Sequence, residues 1–411
     1  MDPQVRLGID YGTSNTVAVL HTSGRPARML LFDGSPQLPS SIFADPDGGF
    51  LTGRDAVHSA RTDPTRVDPN PKRRINDQFV LLGTVEFPVA DLIAATLRRV
   101  HGEAERVAGV PVAETVLTYP AAWGPPRRGV LAAAVQRAGL SALSLVPEPV
   151  AAAAYFVEVL GARLPLGHCL VVYDFGAGTF DASVVRRVPG GFTVLATEGL
   201  PETGGLDVDA AVIEYLGTAG AGWDPALRAR LDQPQATDDL RAHGLLWQDA
   251  RSAKEMLSRA SSTFIHVPLV DVDVPLGREQ FENLARPILD QTMAATQRAV
   301  QAAGVRPDEI AGVFPVGGSS RIPLVATLLH RTFRLAPTVL DQPELVVAEG
   351  AALAVPSGGP RPVSGAPVSG TPVSGTPESV SPVSPAATLP LPRLPAPRSG
   401  VPAMPPRPVP G

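Results

Sequence analysis

Leu170-Val171-Val172-Tyr173-Asp174-Phe175-Gly176-Ala177-Gly178-Thr179-Phe180-Asp181 is the stretch whose reading decides the fold. An apolar, strand-like run meets an Asp-aromatic-Gly turn, and a second run, Ala182-Ser183-Val184-Val185, follows it: the pattern of a β-hairpin. The same order of residue types occurs near the start of the chain. There Val5-Arg6-Leu7-Gly8-Ile9 leads into Asp10-Tyr11-Gly12-Thr13-Ser14-Asn15-Thr16 and then Val17-Ala18-Val19-Leu20, with Asp10 and Asp174 164 positions apart. Either hairpin alone is ordinary turn chemistry, but a repeated order marks a duplicated device. Its glycines let backbone approach a ligand and present successive N–H groups, a nest suited to phosphate oxygens. Thr13, Ser14 and Thr179 add hydroxyl donors. Asp10, Asp174 and Asp181 would repel a phosphate, so the pattern calls for a bridging cation, and magnesium held largely through water suits a few carboxylates.

Composition bounds the rest. The chain has 411 residues with 45 prolines and 39 glycines, and 17 of those prolines fall in residues 356–411. About 355 residues precede that stretch, more than one hydrophobic core normally serves, so two lobes are expected. The net charge is −5, and a tail of four arginines against Glu378 contributes +3, which leaves −8 for residues 1–355. That balance argues against a nucleic-acid surface. Cys169 is the sole cysteine, so an intrachain disulfide and a thiolate cluster are excluded and a cytoplasmic location is expected. No secretory signal is read at Met1–Val5, and Pro149–Leu160 is too short to span a bilayer, so no membrane partner is expected. P-loop, His-Glu-x-x-His and Gly-x-Ser-x-Gly patterns are absent.

Further segments, in order, resemble the nucleotide-binding half of the 70-kDa heat-shock (DnaK-type) chaperones, within the wider actin and sugar-kinase fold. Pro39-Ser40-Ser41-Ile42-Phe43 with Leu51-Thr52-Gly53 is similar to that family's early strand pair. Pro71-Lys72-Arg73-Arg74-Ile75 resembles the segment that supplies its catalytic lysine. Leu117-Thr118-Tyr119-Pro120-Ala121 with Arg128 resembles its proline switch and arginine partner, and Val146-Pro147-Glu148-Pro149 the segment whose glutamate faces metal and water. Later, Thr203-Gly204-Gly205-Leu206-Asp207-Val208-Asp209 is similar to the family's Gly-Gly loop, and Val316-Gly317-Gly318-Ser319-Ser320-Arg321-Ile322-Pro323 to its adenosine motif. Glu344–Ala352 resembles the closing helix, so the resemblance covers residues 5–355.

The resemblance implies an α/β, two-lobed actin-like ATPase fold of duplicated ribonuclease-H-like lobes, lobe I at 1–165 and lobe II at 166–355, while the composition of 356–411 reads as a disordered Pro/Gly/Ser-rich tail. It implies magnesium-dependent hydrolysis of ATP to ADP and phosphate, with potassium as a second candidate cation. The implied catalytic residues are Lys72, Glu148, Asp174 and Thr13, and the implied metal residues Asp10, Asp174 and Asp181. Nucleotide contacts fall to Gly12, Thr13, Ser14, Asn15, Gly176, Gly178, Thr179, Gly204, Gly205, Lys254, Ser258, Gly317, Gly318, Ser319 and Arg321. Pro120 and Arg128 would carry the allosteric signal. Taken singly, these residues also have local explanations: Glu148 suits a helix start after proline, Lys72 sits in a charged run, and Ser319 suits a cap.

Three positions depart from the family pattern. Ala177 stands where a middle glycine is usual, which is expected to restrict the turn. Arg251 replaces a usually acidic residue and Glu255 a usually basic or apolar one, so a swapped charge pair is expected. The family's β-sandwich and lid have no counterpart in this reading. The Pro-Val-Ser-Gly pentads at 362, 367 and 372 and the Pro390-Leu391-Pro392 step instead read as an extended tail, open to a proline-recognition partner. Two functions are implied: a chaperone-type ATPase acting on a protein client or co-chaperone, or a nucleotide-dependent scaffold with weak turnover. A small-molecule kinase would also need an acceptor pocket.

Overall fold

The first hairpin pairs β1 (Val5–Tyr11) with β2 (Asn15–Thr22) in a computed structural model that describes residues 5–22, 24–140, 143–219 and 224–354. Its turn is tighter than the sequence suggests. Asp10 and Tyr11 still pair with Val17 and Thr16, leaving only Gly12–Asn15 outside the ladder. The alternation explains the extension: Leu7, Ile9 and Tyr11 share one buried face, and Tyr11 carries that face one step past the aspartate. On the other edge of β1, β3 (Glu114–Tyr119) and then β4 (Leu143–Pro147) add in parallel, while Arg28–Met29 and Gln37–Pro39 pair with β2.

The second sheet repeats the plan. Strands β5 (Cys169–Phe175) and β6 (Phe180–Val188) form the second hairpin, β7 (Gly191–Leu200) extends it antiparallel, and β8 (Ile310–Val316) joins β5 in parallel. Each sheet therefore centres on a strand with an antiparallel neighbour on one side and a parallel one on the other. Asp10 and Asp174 occupy equivalent places near the carboxyl ends of these central strands, where open α/β sheets place ligands. Tyr173, Phe175 and Phe180 are fully buried around the second turn, and the Tyr173 hydroxyl shares a 2.7 Å hydrogen bond with Thr292.

Helices α1 (Val89–Ala108) and α2 (Pro125–Ala138) pack their apolar faces on the first sheet. Helix α3 (Glu148–Glu158) starts directly after β4. Helices α4 (Gly205–Ala219), α5 (Thr237–Leu257) and α6 (Arg278–Ala303) belong to the second half of the chain. The closing helix α7 (Val346–Ala354) begins two residues later than Glu344. It wedges between α3 and β1, so closely that a side chain at Gly350 would overlap the Ala151 carbonyl and one at Gly8 the Ala348 carbonyl. Two glycines thus fix how this late helix returns to the first sheet. Among the described residues no helix is long and apolar enough to cross a membrane. The Pro-rich stretch 356–411, including the pentads and Pro390-Leu391-Pro392, lies outside the described residues.

Candidate functional site

The two hairpin turns touch. A β-carbon on Gly178 would lie 2.6 Å from the Thr13 methyl, so only glycine lets the second turn close against the first. Around this contact is a cavity of about 210 Å³ whose walls include Gly12, Thr13, Ser14, Asn15, Gly176 and Thr179. Gly12, Gly176 and Gly178 do not have positive φ; close approach is what Gly12 and Gly178 need, whereas a β-carbon at Gly176 would meet the Thr179 carbonyl at an ordinary 3.4 Å. Ala177 lines the same cavity on backbone that is not left-handed, and its carbonyl accepts from Leu206 N at 2.8 Å.

Lys72 reaches the cavity from a short 3-10 turn, Pro71–Arg74, which buries Pro71 and Lys72 and leaves Arg73 and Arg74 outward. Its charged run is therefore one-sided. Lys72 Nζ donates to Glu148 Oε1 at 3.1 Å, and both side chains are 9% exposed. Lys72 Nζ also lies 5.5 Å from the centre of the Trp123 ring. Glu148 is held at the first turn of α3, where the helix dipole favours a carboxylate.

Three aspartates surround this pair. Burial pushes Asp10 up to about 6, with the Glu148 charge adding to the rise while Lys72 and a 3.2 Å hydrogen bond from Thr118 oppose it. Burial, then Glu148, Asp10 and Asp181, holds Asp174 well above the usual carboxylate range. Asp181 rises to about 8 through burial and the Glu148 charge. Lys72 is pulled down by burial, but Glu148, Asp10 and Asp174 together outweigh that and raise it. Four carboxylates facing one buried lysine leave negative charge uncompensated, the situation a divalent cation relieves. Among the described residues no three His, Cys, Asp or Glu side chains converge to hold a bare ion. The donor set therefore suits a cation that keeps most of its water.

The side of the cavity expected to face a nucleoside is built on α5 and the turn after β8. Lys254 Nζ lies 2.8 Å from Asp209 Oδ1 and donates to the Gly205 carbonyl at 2.7 Å. Burial pushes Asp209 up and Lys254 down, and their mutual attraction opposes both shifts. Ser319 Oγ donates to the Gly176 carbonyl at 2.8 Å, tying the later turn to the second hairpin. Gly318, Ser319 and Arg321 line the cavity, as do Lys254 and Ser258. Gly204, Gly205 and Gly317 stand behind the lining: side chains there would overlap the Ala177 carbonyl, overlap Ser319 Oγ, and come 2.6 Å from the Phe175 carbonyl, respectively. Pro120 is buried at the end of β3, and the Arg128 guanidinium stacks 5.4 Å from the Tyr119 ring. Both are away from the cavity wall.

Several contributors carried no local signal. Asp209 is a lone aspartate in an apolar helix face. Gln37 and Glu344 form a rim: Gln37 Nε2 donates to Glu344 Oε1 at 2.9 Å, and Arg321 sits 3.6 Å from the same oxygen. The Asn15 amide lies 3.0 Å from Gln37 Oε1 and 3.1 Å from an Arg251 amino nitrogen. Arg251 pairs with Glu255 at 3.1 Å, one helical turn apart, as the swapped charges at these two positions suggested.

Residues 72–359 match the family model described as "Hsp70 protein". The chain belongs to the Hsp70 family. It is 32% identical over 380 residues to a chaperone protein HscA homolog from Acidithiobacillus ferrooxidans, covering 86% of this chain and 58% of that protein. A homolog of the same description from Azotobacter vinelandii is 33% identical over 373 residues, covering 85% and 57%. One from Bordetella petrii is 32% identical over 374 residues, with the same coverage. The Hsp70-type chain thus spans somewhat under three fifths of the length of these curated relatives. Its α/β architecture is that of the family's two-lobed actin-like ATPase fold.

Proposed function

We propose that this Hsp70-family chain binds ATP with magnesium in the cavity between the two hairpins and hydrolyses it to ADP and phosphate. The observation that carries the reading is the buried Lys72–Glu148 pair at 3.1 Å, set among Asp10, Asp174 and Asp181 where both turns meet. Phosphoryl transfer to water depends on in-line positioning and neutralised charge more than on covalent help, and this arrangement offers both. Amides of the two turns and the Thr13, Ser14 and Thr179 hydroxyls bind the phosphates. Lys72 faces the γ-phosphate and orients the attacking water, and Glu148 accepts a hydrogen bond from that water. Asp10, Asp174 and Asp181 would hold the hydrated cation, which when bound supplies charge neutralisation at the phosphates. Lys254, Ser258, Gly317, Gly318, Ser319 and Arg321 seat the nucleoside. The lobe boundary belongs between residues 165 and 166, ahead of β5.

Nucleotide state then controls a protein client or co-chaperone, with Pro120 and Arg128 relaying changes at Glu148 along β3 and β4. The scaffold alternative drew on Ala177, Arg251 and Glu255. Ala177 sits without left-handed backbone and the swapped residues pair with each other, which favours turnover. Calorimetric titration with ATP and magnesium tests the location. One site per chain is expected, lost in Gly205→Val, whose side chain would overlap Ser319 Oγ. Undiminished binding by that variant would move the site elsewhere.

A further inference from the structure

A second cavity, of about 550 Å³, lies on the far side of the hairpin contact. It shares three wall residues with the first: Thr13, Lys72 and Thr179. These residues face the γ-phosphate in the proposed hydrolysis of ATP, and the role of the second cavity rests on that proposal. A nucleotide filling the first cavity would put its terminal phosphate at the partition between the two. After cleavage, ADP would still block the first cavity, and the released phosphate would face the second.

We infer that the second cavity is a separate exit for inorganic phosphate, closed by Arg73. Arg73 Nη2 donates to Asp207 Oδ2 at 3.3 Å and to the Gly178 carbonyl at 3.4 Å. Both contacts are long, and both side chains are more than a third exposed, so breaking this pair costs little. A phosphate dianion offers Arg73 a bidentate, charge-assisted partner in place of Asp207. Further along the wall, Arg127 donates to Asn76 Oδ1 at 2.9 Å and lies 5.9 Å from the Trp123 ring centre, a second cation beyond the first. Glu202 and Asp207 on the same walls offset Arg73 and Arg127, and Lys72 is already paired to Glu148 at 3.1 Å, so the passage carries no excess positive charge that would trap the anion. The closure also senses the site: Asp207 Oδ2 accepts from Gly204 N at 2.7 Å, at the loop proposed to stand beside the γ-phosphate.

Ala122 lines this cavity, is exposed, and belongs to none of the proposed binding or catalytic groups. Single-turnover ATP hydrolysis by the full chain is followed in two channels, acid-quenched samples for cleavage and a fluorescent phosphate-binding protein for release. Ala122→Trp should leave cleavage and ADP release unchanged and slow phosphate release about tenfold or more, a barrier increase of about 1.4 kcal/mol. Arg73→Ala, at an exposed side chain, should speed release. Unchanged phosphate release in Ala122→Trp, or equal slowing of phosphate and ADP, would overturn the exit. Absence of cleavage in the wild-type quench would instead overturn the hydrolytic reading. Orthovanadate binding to protein already holding ADP judges the passage without turnover: slower entry in Ala122→Trp is expected, and equal entry rates would refute it.

Discussion

Replacing Lys72 by alanine should separate binding from chemistry. Its ammonium is the buried cation among Asp10, Glu148 and Asp174, held 3.1 Å from Glu148. Two effects follow from the geometry. A fixed donor aimed at charge that develops in the transition state is worth about 10²–10³ in rate, or about 2.7–4 kcal/mol. The turn amides and hydroxyls that hold the phosphates remain, so ATP affinity should change far less than turnover. The second effect is on stability. Removing one partner of a buried pair costs about 3–5 kcal/mol when the other stays charged. A lowered melting temperature with retained cooperative unfolding is therefore expected. The assay is acid-quenched single-turnover hydrolysis at saturating ATP and magnesium, beside an equilibrium titration. A single-turnover rate within about twofold of wild type would remove Lys72 from the transition state.

Three further outcomes are expected. Asp181→Asn should weaken ATP binding in magnesium more than in chelator, checked by paired titrations; equal losses would reject its role at the cation. In the absence of metal and nucleotide, stability should fall as pH rises from about 4 through 8, because folded Asp10 near 6 and Asp181 near 8 keep protons that the unfolded chain gives up near 3.8. The slope is at most about 1.4 kcal/mol per pH unit for each group, and magnesium should flatten it in thermal scans. Arg241→Ala should speed nucleotide dissociation about fivefold, since Arg241 on α5 donates to the Arg61 and Thr62 carbonyls at 2.7 and 3.0 Å across the cleft; unchanged stopped-flow release would dismiss that clasp.

Much of the fold was legible because each hairpin writes its own pattern: alternating burial, then an aspartate, then small residues where two turns must touch. What the alternation hid was where pairing stops, since Tyr11 extends the buried face past Asp10. Lys72 was visible only through resemblance. Its run of three basic residues looks solvated, and a single 3-10 turn decides which one points inward. Asp209, Gln37 and Glu344 were silent for a different reason: their partners lie far along the chain, and no local spacing announces a contact between β2's neighbour and the start of α7. Arg251 and Glu255 were readable as a pair because each departs from the family pattern in the opposite sense, and they sit one helical turn apart. The second cavity had no sequence signature at all, being the space left where Trp123, Arg73 and the end of β7 approach from three directions.

Cleavage of ATP in the first cavity, with the help of a hydrated cation, is tested most simply by acid-quenched single-turnover reactions of the full chain, in magnesium and in excess chelator. Cleavage of the bound ATP to ADP and phosphate, dependent on magnesium, is predicted. Tight ATP binding with no cleavage in either condition would contradict it.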